Sequence, residues 1–283
     1  MVLEGLSPAQ RAAHDRLHAL LAGLERVVVA FSGGIDSTVL LRVAVDALGS
    51  RAVALTAVSE SFAPWELDDA RLLAAGMGAR HIEVRTRELE RPGYRENAGD
   101  RCYHCKTELF EIAGAHAAHE ALGVLVYGAI PEDLGDHRPG MRAAEEHGVR
   151  APLIEAGLSK ADIRAVARAY GLPTAEKPAS ACLSSRFPDG TRVTAEGLDR
   201  VAQCEGGLRR LGLLQVRARY HQELVRLELG PAELERVFAD ADLRAAVTAA
   251  GRAAGFRFVS VDLEGYRTGS ANVLLQVREP RRA

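Results

Sequence analysis

Four cysteines in 283 residues are too few to frame a fold with disulfides. In a reducing compartment, a close pair among them points instead to metal, cluster or redox chemistry. No apolar run approaches the ~18 residues of a membrane span. The opening MVLEGLSPAQRAAHDRLHALLAGL is polar and amphipathic, which fits an N-terminal helix of a cytoplasmic protein and not a signal peptide. The formal net charge is only -2, so the chain lacks the basic excess that draws proteins to nucleic acid. Internal repeats and low-complexity segments are absent too. What remains is ordinary for a soluble globular chain, with 47% apolar and 26% charged residues. Its length suits one large domain or two modest ones.

Up to about residue 190, strand and helix patterns alternate. RVVVAFS, RAVALTAVS, HIEVRTREL and VLVYGAI read as strands. The continuous apolar run of RVVVAFS suits a sheet buried on both faces. DSTVLLRVAVDALG, APWELDDARLLAAGMG, TELFEIAGAHAAHEALG and SKADIRAVARAYGL read as helices, the last capped by Ser159. This rhythm predicts a parallel, doubly wound α/β sheet over residues 1–190. Beyond it, LLQVRARYH and ELVRLELG alternate like paired strands. PAELERVFADADLRAAVTAAG follows as one helix and FRFVSVDLEGYR as a further strand. Residues 191–283 therefore read as a smaller α+β domain.

The stretch VVVAFSGGIDSTVLL runs from a strand through a glycine turn into a helix. Gly33 and Gly34 allow a tight turn that aims backbone N–H groups at an anion, and the helix N-terminus adds positive potential. Ser32 and Ser37 can donate to phosphate oxygens, and Asp36 can hold a Mg²⁺ that binds them. The turn lacks the GK[ST] of a Walker loop, which argues against β,γ-cleavage.

Three further places carry candidate chemistry. In DRCYHCKTELF, the spacing of Cys102 and Cys105 lets two thiolates converge on one metal or cluster, just ahead of a helix, and Lys106 could reach a phosphate. There is no second C-x-x-C to complete a zinc site. In EKPASACLSSRFPDGTRVT, Cys182 sits on a proline- and glycine-punctuated loop, where Arg186 would favour the thiolate. In VRARYHQELVRLEL, Arg217 and Arg219 share a strand face, as a phosphate or carboxylate site requires, with Glu205 and Glu228 as weaker metal-holding candidates. Cys204, in a helical segment, reads as packing, and His116 and His119 as surface. Asp133 and Asp136 could border a substrate.

Taken together, VVVAFSGGIDSTVLL, RCYHCKTELF, YGAIPEDLGDHRPG, KPASACLSSRFPDGTRVT and GFRFVSVDLEGYRTGS resemble the LarE-type pyridinium-3,5-biscarboxylic acid mononucleotide sulfurtransferases, from about residue 10 to 277. These belong to the PP-loop, or N-type ATP pyrophosphatase, superfamily. The resemblance implies that SGGIDS grips the pyrophosphate leaving ATP, which needs no Walker lysine. It implies adenylylation of a substrate carboxylate, then displacement of AMP by sulfur, on the way to the nickel-pincer nucleotide cofactor of lactate racemase. Lys106, Arg186, Arg217 and Arg219 would meet the anionic substrate. Homo-oligomers are common in the family.

The sulfur source is where this chain departs from the simplest family pattern. In the sacrificial form, the cysteine matching Cys182 gives up its own sulfur, and no C-x-x-C is needed. Related tRNA thiolases use a C-x-x-C plus one distant cysteine to hold a [4Fe–4S] cluster whose open iron carries hydrosulfide. Cys102, Cys105 and Cys182 match that set, so the resemblance favours the cluster, supplied by sulfide or another sulfur donor. A PP-loop tRNA thiolase is the competing enzyme, opposed by the charge of -2. Amidation would need a glutaminase domain or an ammonia source, and 283 residues leave no room for an added glutaminase. A nucleotide-binding regulatory module would bind ATP without releasing pyrophosphate.

Overall fold

A computed structural model of the chain describes residues 3–135, 139–178 and 180–267. Asp136 and the last three residues of GFRFVSVDLEGYRTGS lie outside the described residues. In chain order, the first half runs α1 (Pro8–Ala22), β1 (Val27–Ala30), α2 (Ile35–Leu48), β2 (Ala52–Val58), α3 (Pro64–Gly76), β3 (Arg80–Arg85), α4 (Pro92–Glu96), α5 (Arg101–His119) and β4 (Val124–Tyr127). Then follow α6 (Pro139–Glu146), α7 (Pro152–Glu155), α8 (Lys160–Ala169), α9 (Ala195–Arg210), β5 (Val216–His221), β6 (Leu224–Leu229), α10 (Pro231–Ala239), α11 (Ala241–Ala253) and β7 (Phe258–Val261). By their contacts these form two compact units. One comprises Met1–Ser59, Trp65–Glu88 and Cys102–Ser180, the other Glu60–Pro64, Leu89–Arg101 and Ala181–Ala283.

The first unit is built on a parallel sheet in the order β3-β2-β1-β4. The strand period sends alternate residues to opposite faces, and in β1, β2 and β4 both faces are largely buried, whereas the edge strand β3 is mostly exposed or half-buried. Val27, Val29, Ala52 and Ala54 join the core of α1, α2, α3 and α8, with Leu17, Leu41, Ala70 and Ile163. Val28, Val53 and Leu55 join the core under α5 and α6, with Phe110, Ala113 and Ala143. This is the doubly wound arrangement that the sequence alternation predicts. Burial of each fully enclosed leucine contributes about 1.5–3 kcal/mol. Ser159 caps α8 as expected: its hydroxyl accepts from the Asp162 N–H at 3.2 Å, and Asp162 accepts from the Ser159 N–H at 3.1 Å.

The second unit holds a smaller sheet in the order β5-β6-β7. β5 and β6 form an antiparallel hairpin, and β7 lies parallel to β6 after the helical crossover. The single helix expected over residues 231–251 is two helices. Asp240 breaks it, because its carboxylate accepts from the N–H groups of Asp242 (2.9 Å) and Leu243 (3.0 Å) and so starts α11 afresh. Cys204 is fully buried in α9, and burial pushes its thiol up to about 12. It is a packing residue, as expected. Among the described residues no helix is long and apolar enough to cross a membrane.

Candidate active site

The glycine turn lies between β1 and α2. Gly33 has φ +69°, a left-handed conformation that side chains oppose, and a Cβ there would sit 3.3 Å from Ala70. Gly34 is the N-cap of α2 and uses no side-chain cap of its own. The serines tie the turn together: Ser37 donates to the Gly34 carbonyl at 3.0 Å, and the hydroxyls of Ser32 and Ser37 lie 3.3 Å apart. Thr38 donates to the same carbonyl at 2.8 Å. The result is a short polar cradle at the head of a helix, a geometry suited to an anion. Gly128, after β4, makes room for it. A Cβ there would lie 3.0 Å from the Ser37 amide nitrogen.

Lys160 is the residue that sequence reasoning missed. Its Nζ donates to both carboxylate oxygens of Asp36, at 2.6 and 2.8 Å. Both side chains are about one-third exposed, 35% for the lysine and 28% for the aspartate. Lys160 opens α8, and its own N–H donates to Glu132 Oε1 at 2.7 Å. A lysine therefore does reach the turn, from 124 residues further along the chain. The signal was present in SKADIR, where the capping serine places the next residue at a helix N-terminus, but no local motif linked it to Ser32–Ser37. Asp133 serves its own short turn, accepting from the Ile130 N–H at 3.1 Å.

Cys102 and Cys105 lie in the first turns of α5, whereas the sequence placed them just before the helix. Cys102 is exposed and Cys105 half-buried. Their i, i+3 spacing puts both thiols on one helix side. Lys106 follows, half-buried, with its ammonium 5.6 Å from the centre of the Phe110 ring. Among the described residues, no three histidine, cysteine, aspartate or glutamate side chains come together to hold a metal. Two thiols on one helix fit half of a cluster site.

Cys182 belongs by its contacts to the second unit, where it is exposed and starts a short 3-10 turn, Leu183–Arg186. The backbone around it is held at almost every residue. Arg186 Nη1 donates to the carbonyls of Ala181 (2.7 Å) and Cys182 (3.1 Å). The Leu183 N–H donates to Ser61 O at 2.9 Å, and the Ser184 carbonyl accepts from Arg101 at 2.8 Å. The Ser185 carbonyl accepts from Arg219 at 2.8 Å, and the Tyr94 and Ser184 hydroxyls are hydrogen-bonded.

Two buried ion pairs anchor that clamp. Arg186 meets Glu205 through two parallel bonds of 2.8 and 2.9 Å, with the side chains 4% and 2% exposed. Arg219 meets Glu228 at 2.7 Å, and Arg226 reaches the same carboxylate at 3.1 Å. The two arginines expected at the substrate, Arg186 and Arg219, thus lie in the wall behind the loop. Glu205 and Glu228 are their counter-ions. Arg217, also expected there, donates to the Val216 carbonyl at 2.9 Å and lies 5.0 Å from the Tyr266 ring centre. Burial, followed by the like charge of Arg186, pulls its pKa down from the ordinary arginine value.

The chain is similar in sequence to several known proteins. The NAD synthase family model matches residues 14–98, the stretch from α1 through the glycine turn to α4. An uncharacterised protein of Synechocystis is 43% identical over 261 residues, which is 92% of this chain and 97% of its own. The pyridinium-3,5-bisthiocarboxylic acid mononucleotide synthase of Lactiplantibacillus plantarum is 38% identical over 257 residues, covering 90% of this chain and 92% of its own. An uncharacterised protein of Methanocaldococcus jannaschii is 25% identical over 244 residues, 86% of this chain and 92% of its own. On the strength of the 38% match along nearly the whole chain, and of a glycine turn that heads a parallel α/β sheet, the chain belongs to the LarE-type family of ATP-dependent sulfurtransferases with the PP-loop ATP pyrophosphatase fold.

Proposed function

We propose that the chain adenylylates a carboxylate of pyridinium-3,5-biscarboxylic acid mononucleotide and converts it to a thiocarboxylate, for the nickel-pincer nucleotide cofactor of lactate racemase. The observation that carries this reading is the ammonium of Lys160 on Asp36 at the mouth of the glycine turn. A carboxylate is a poor electrophile, and oxide is a poor leaving group. The substrate carboxylate attacks the α-phosphorus of ATP, the bond to pyrophosphate breaks, and an acyl adenylate forms. A sulfur nucleophile then attacks the acyl carbon and AMP departs. Two rounds give the dithio product.

The protein's part is to hold charge where it develops. Ser32, Ser37 and the amides at the head of α2 hold the leaving pyrophosphate. Lys160 hands its charge from Asp36 to a phosphate oxygen. Asp36 is the carboxylate to hold Mg²⁺, which when bound neutralises polyphosphate charge. Lys106 and Arg217 meet the anionic substrate, with Arg186 and Arg219 serving the same end through the loop they brace. Reduced thiols and ATP suit a cytoplasmic enzyme, and a homo-oligomer is the form we infer for it. Incubation with ATP, Mg²⁺ and the mononucleotide should yield AMP, pyrophosphate and a product with sulfur in place of oxygen. Formation of ADP, or ATP cleavage without dependence on the mononucleotide, refutes the reading.

The sulfur source has two readings. The shared helix side of Cys102 and Cys105 favours a [4Fe–4S] cluster completed by Cys182, and the exposed Cys182 thiol is the one that would give up its own sulfur in the alternative. Iron and acid-labile sulfide after anaerobic purification decide between them. About four of each in wild type, lost in Cys102→Ala, supports the cluster. Iron-free protein that converts Cys182 to dehydroalanine in one turnover supports sacrifice.

A further inference from the structure

Just upstream of Cys182 the chain is fastened a second time, by a cluster that neither the turn nor the thiols account for. Lys177 Nζ donates to Glu66 Oε2 at 2.6 Å and to Asp69 Oδ2 at 3.0 Å. Ser180 Oγ donates to the other oxygen of the same carboxylate, Glu66 Oε1, at 2.8 Å. Lys177 and Glu66 are largely enclosed, with side chains 20% and 16% exposed. Burial alone would lower the lysine's pKa, and the hydrogen bonds to Glu66 and Asp69 outweigh it, so the ammonium form is held. Glu66 sits in the first turn of α3, on the rigid frame of the parallel sheet. Ser180 is the last residue of the first unit, and Cys182 stands two residues later.

A surface loop needs no such arrangement. One carboxylate receives two donors from residues three apart, and both donors lie in the segment that delivers the thiol. Downstream, Arg186 holds the carbonyls of Ala181 and Cys182. The chain is thus fixed two residues ahead of Cys182 within the first unit, and the carbonyl of the exposed Cys182 is held within the second. We propose that Glu66 and Lys177 are positioning residues for the sulfur step: they fix the chain just ahead of Cys182 on α3, so that the sulfur step depends on them, and they take no part in adenylylation. This rests on the sulfur-transfer reading above and names the residues that couple its two half-reactions. Both half-reactions keep their chemistry when the anchor is lost, but the second loses its alignment, and misplacement of a reacting group by about 1 Å can cost on the order of 100-fold. The stranded acyl adenylate then hydrolyses, water taking the place of sulfur and releasing AMP with the original carboxylate.

The test is a ratio measured on the full-length protein. AMP and thiocarboxylate are quantified from one incubation with ATP, Mg²⁺ and the mononucleotide, for wild type, Glu66→Ala, Lys177→Met and Ser180→Ala. The expected result is mononucleotide-dependent pyrophosphate release close to wild type, with thiocarboxylate per AMP lowered roughly 10–100-fold in the first two. Ser180→Ala, which removes one bond and leaves the ion pair, should fall between them and wild type, and Lys177→Arg should recover part of the yield. An equal fall in AMP and thiocarboxylate, or an unchanged ratio in all variants, overturns the proposal. The reading beneath it fails separately: in that case wild type itself makes no thiocarboxylate, or Cys182→Ala makes as much as wild type.

Discussion

The glycine turn at Ser32–Ser37 and the loop at Ala181–Arg186 hold their backbones by opposite means. The turn relies on two glycines and on hydroxyls bonded among themselves, and the Lys160–Asp36 ion pair at its mouth is part-exposed. The loop is braced from behind by guanidinium–carboxylate pairs that are almost fully buried. Part-exposed pairs contribute about 0–1 kcal/mol, so Lys160 and Asp36 can exchange partners at little cost when a ligand arrives. Removing one member of a buried pair costs about 3–5 kcal/mol, because the survivor stays desolvated and unpaired. The difference teaches that charge held for stability and charge held for chemistry can be told apart by burial, even between residues of the same type.

The widest gap should appear between Arg186 and Lys160. Arg186→Ala strands Glu205 in the interior, and urea unfolding should show a loss of about 3–5 kcal/mol. A loss under about 1 kcal/mol would mean that the pair is solvated and the contrast unfounded. Lys160→Ala should leave stability within about 1 kcal/mol of wild type. Its pyrophosphate release should nevertheless fall by about 100–1,000-fold, the usual loss for one preorganised charge at a developing anion. Full activity in Lys160→Ala would remove the lysine from the mechanism.

A smaller effect separates two glycines with the same backbone angle. Gly33 and Gly78 both have φ +69°, but only Gly33 faces a neighbour, Ala70 at 3.3 Å, while the space around Gly78 is open. Gly78→Ala should cost about 1–2 kcal/mol from conformation alone. Gly33→Ala should cost more and should also weaken ATP binding, because Ala70 belongs to the buried core and cannot retreat. Equal costs in both variants, with ATP binding intact, would show that the turn has slack.

The sequence made the first unit legible because strand burial on both faces leaves continuous apolar runs, and a glycine turn between strand and helix is a local pattern. The candidate sulfur chemistry was equally local, in the spacing of Cys102 and Cys105 and in the loop around Cys182. Lys160 was not legible, since its partner lies 124 residues away and only the sheet brings α8 to the head of α2. Arg186 and Arg219 were visible as charges, but their burial was not, because Glu205 is a helix residue and Glu228 a strand residue with nothing local to mark them as counter-ions. Asp240 shows the converse. An aspartate inside a helical pattern is neutral as composition and decisive as a cap.

The smallest effect is on pH, and it probes both units at once. His81, in the first, bonds through Nε2 to Thr56 Oγ1 at 2.7 Å, while Thr56 donates to the carbonyl of Phe31 at 2.7 Å, at the root of the glycine turn. Burial pushes the pKa of His81 below its ordinary value. His221, in the second, is pushed down by burial and then by Arg226 and Arg219. In each case the unfolded chain binds the proton more readily than the folded one. Their contribution is therefore fully present above about pH 6.5 and is lost as pH falls through the lowered folded values. Glu83 and Asp162, whose carboxyls are held below their ordinary values by Arg71 and Ser159, lose their contributions only at lower pH. Urea midpoints should consequently fall between about pH 7.5 and 5.5, and His81→Gln and His221→Gln should each flatten part of that slope. Because Thr56 already donates to Phe31, it must accept from His81, so Nε2 carries the proton in the neutral ring and charging occurs at Nδ1. Acid should then weaken the first unit without breaking the Thr56 link, and ATP binding should hold over the range in which stability declines. Parallel loss of ATP affinity and stability would mean instead that the turn depends on the charge state of His81.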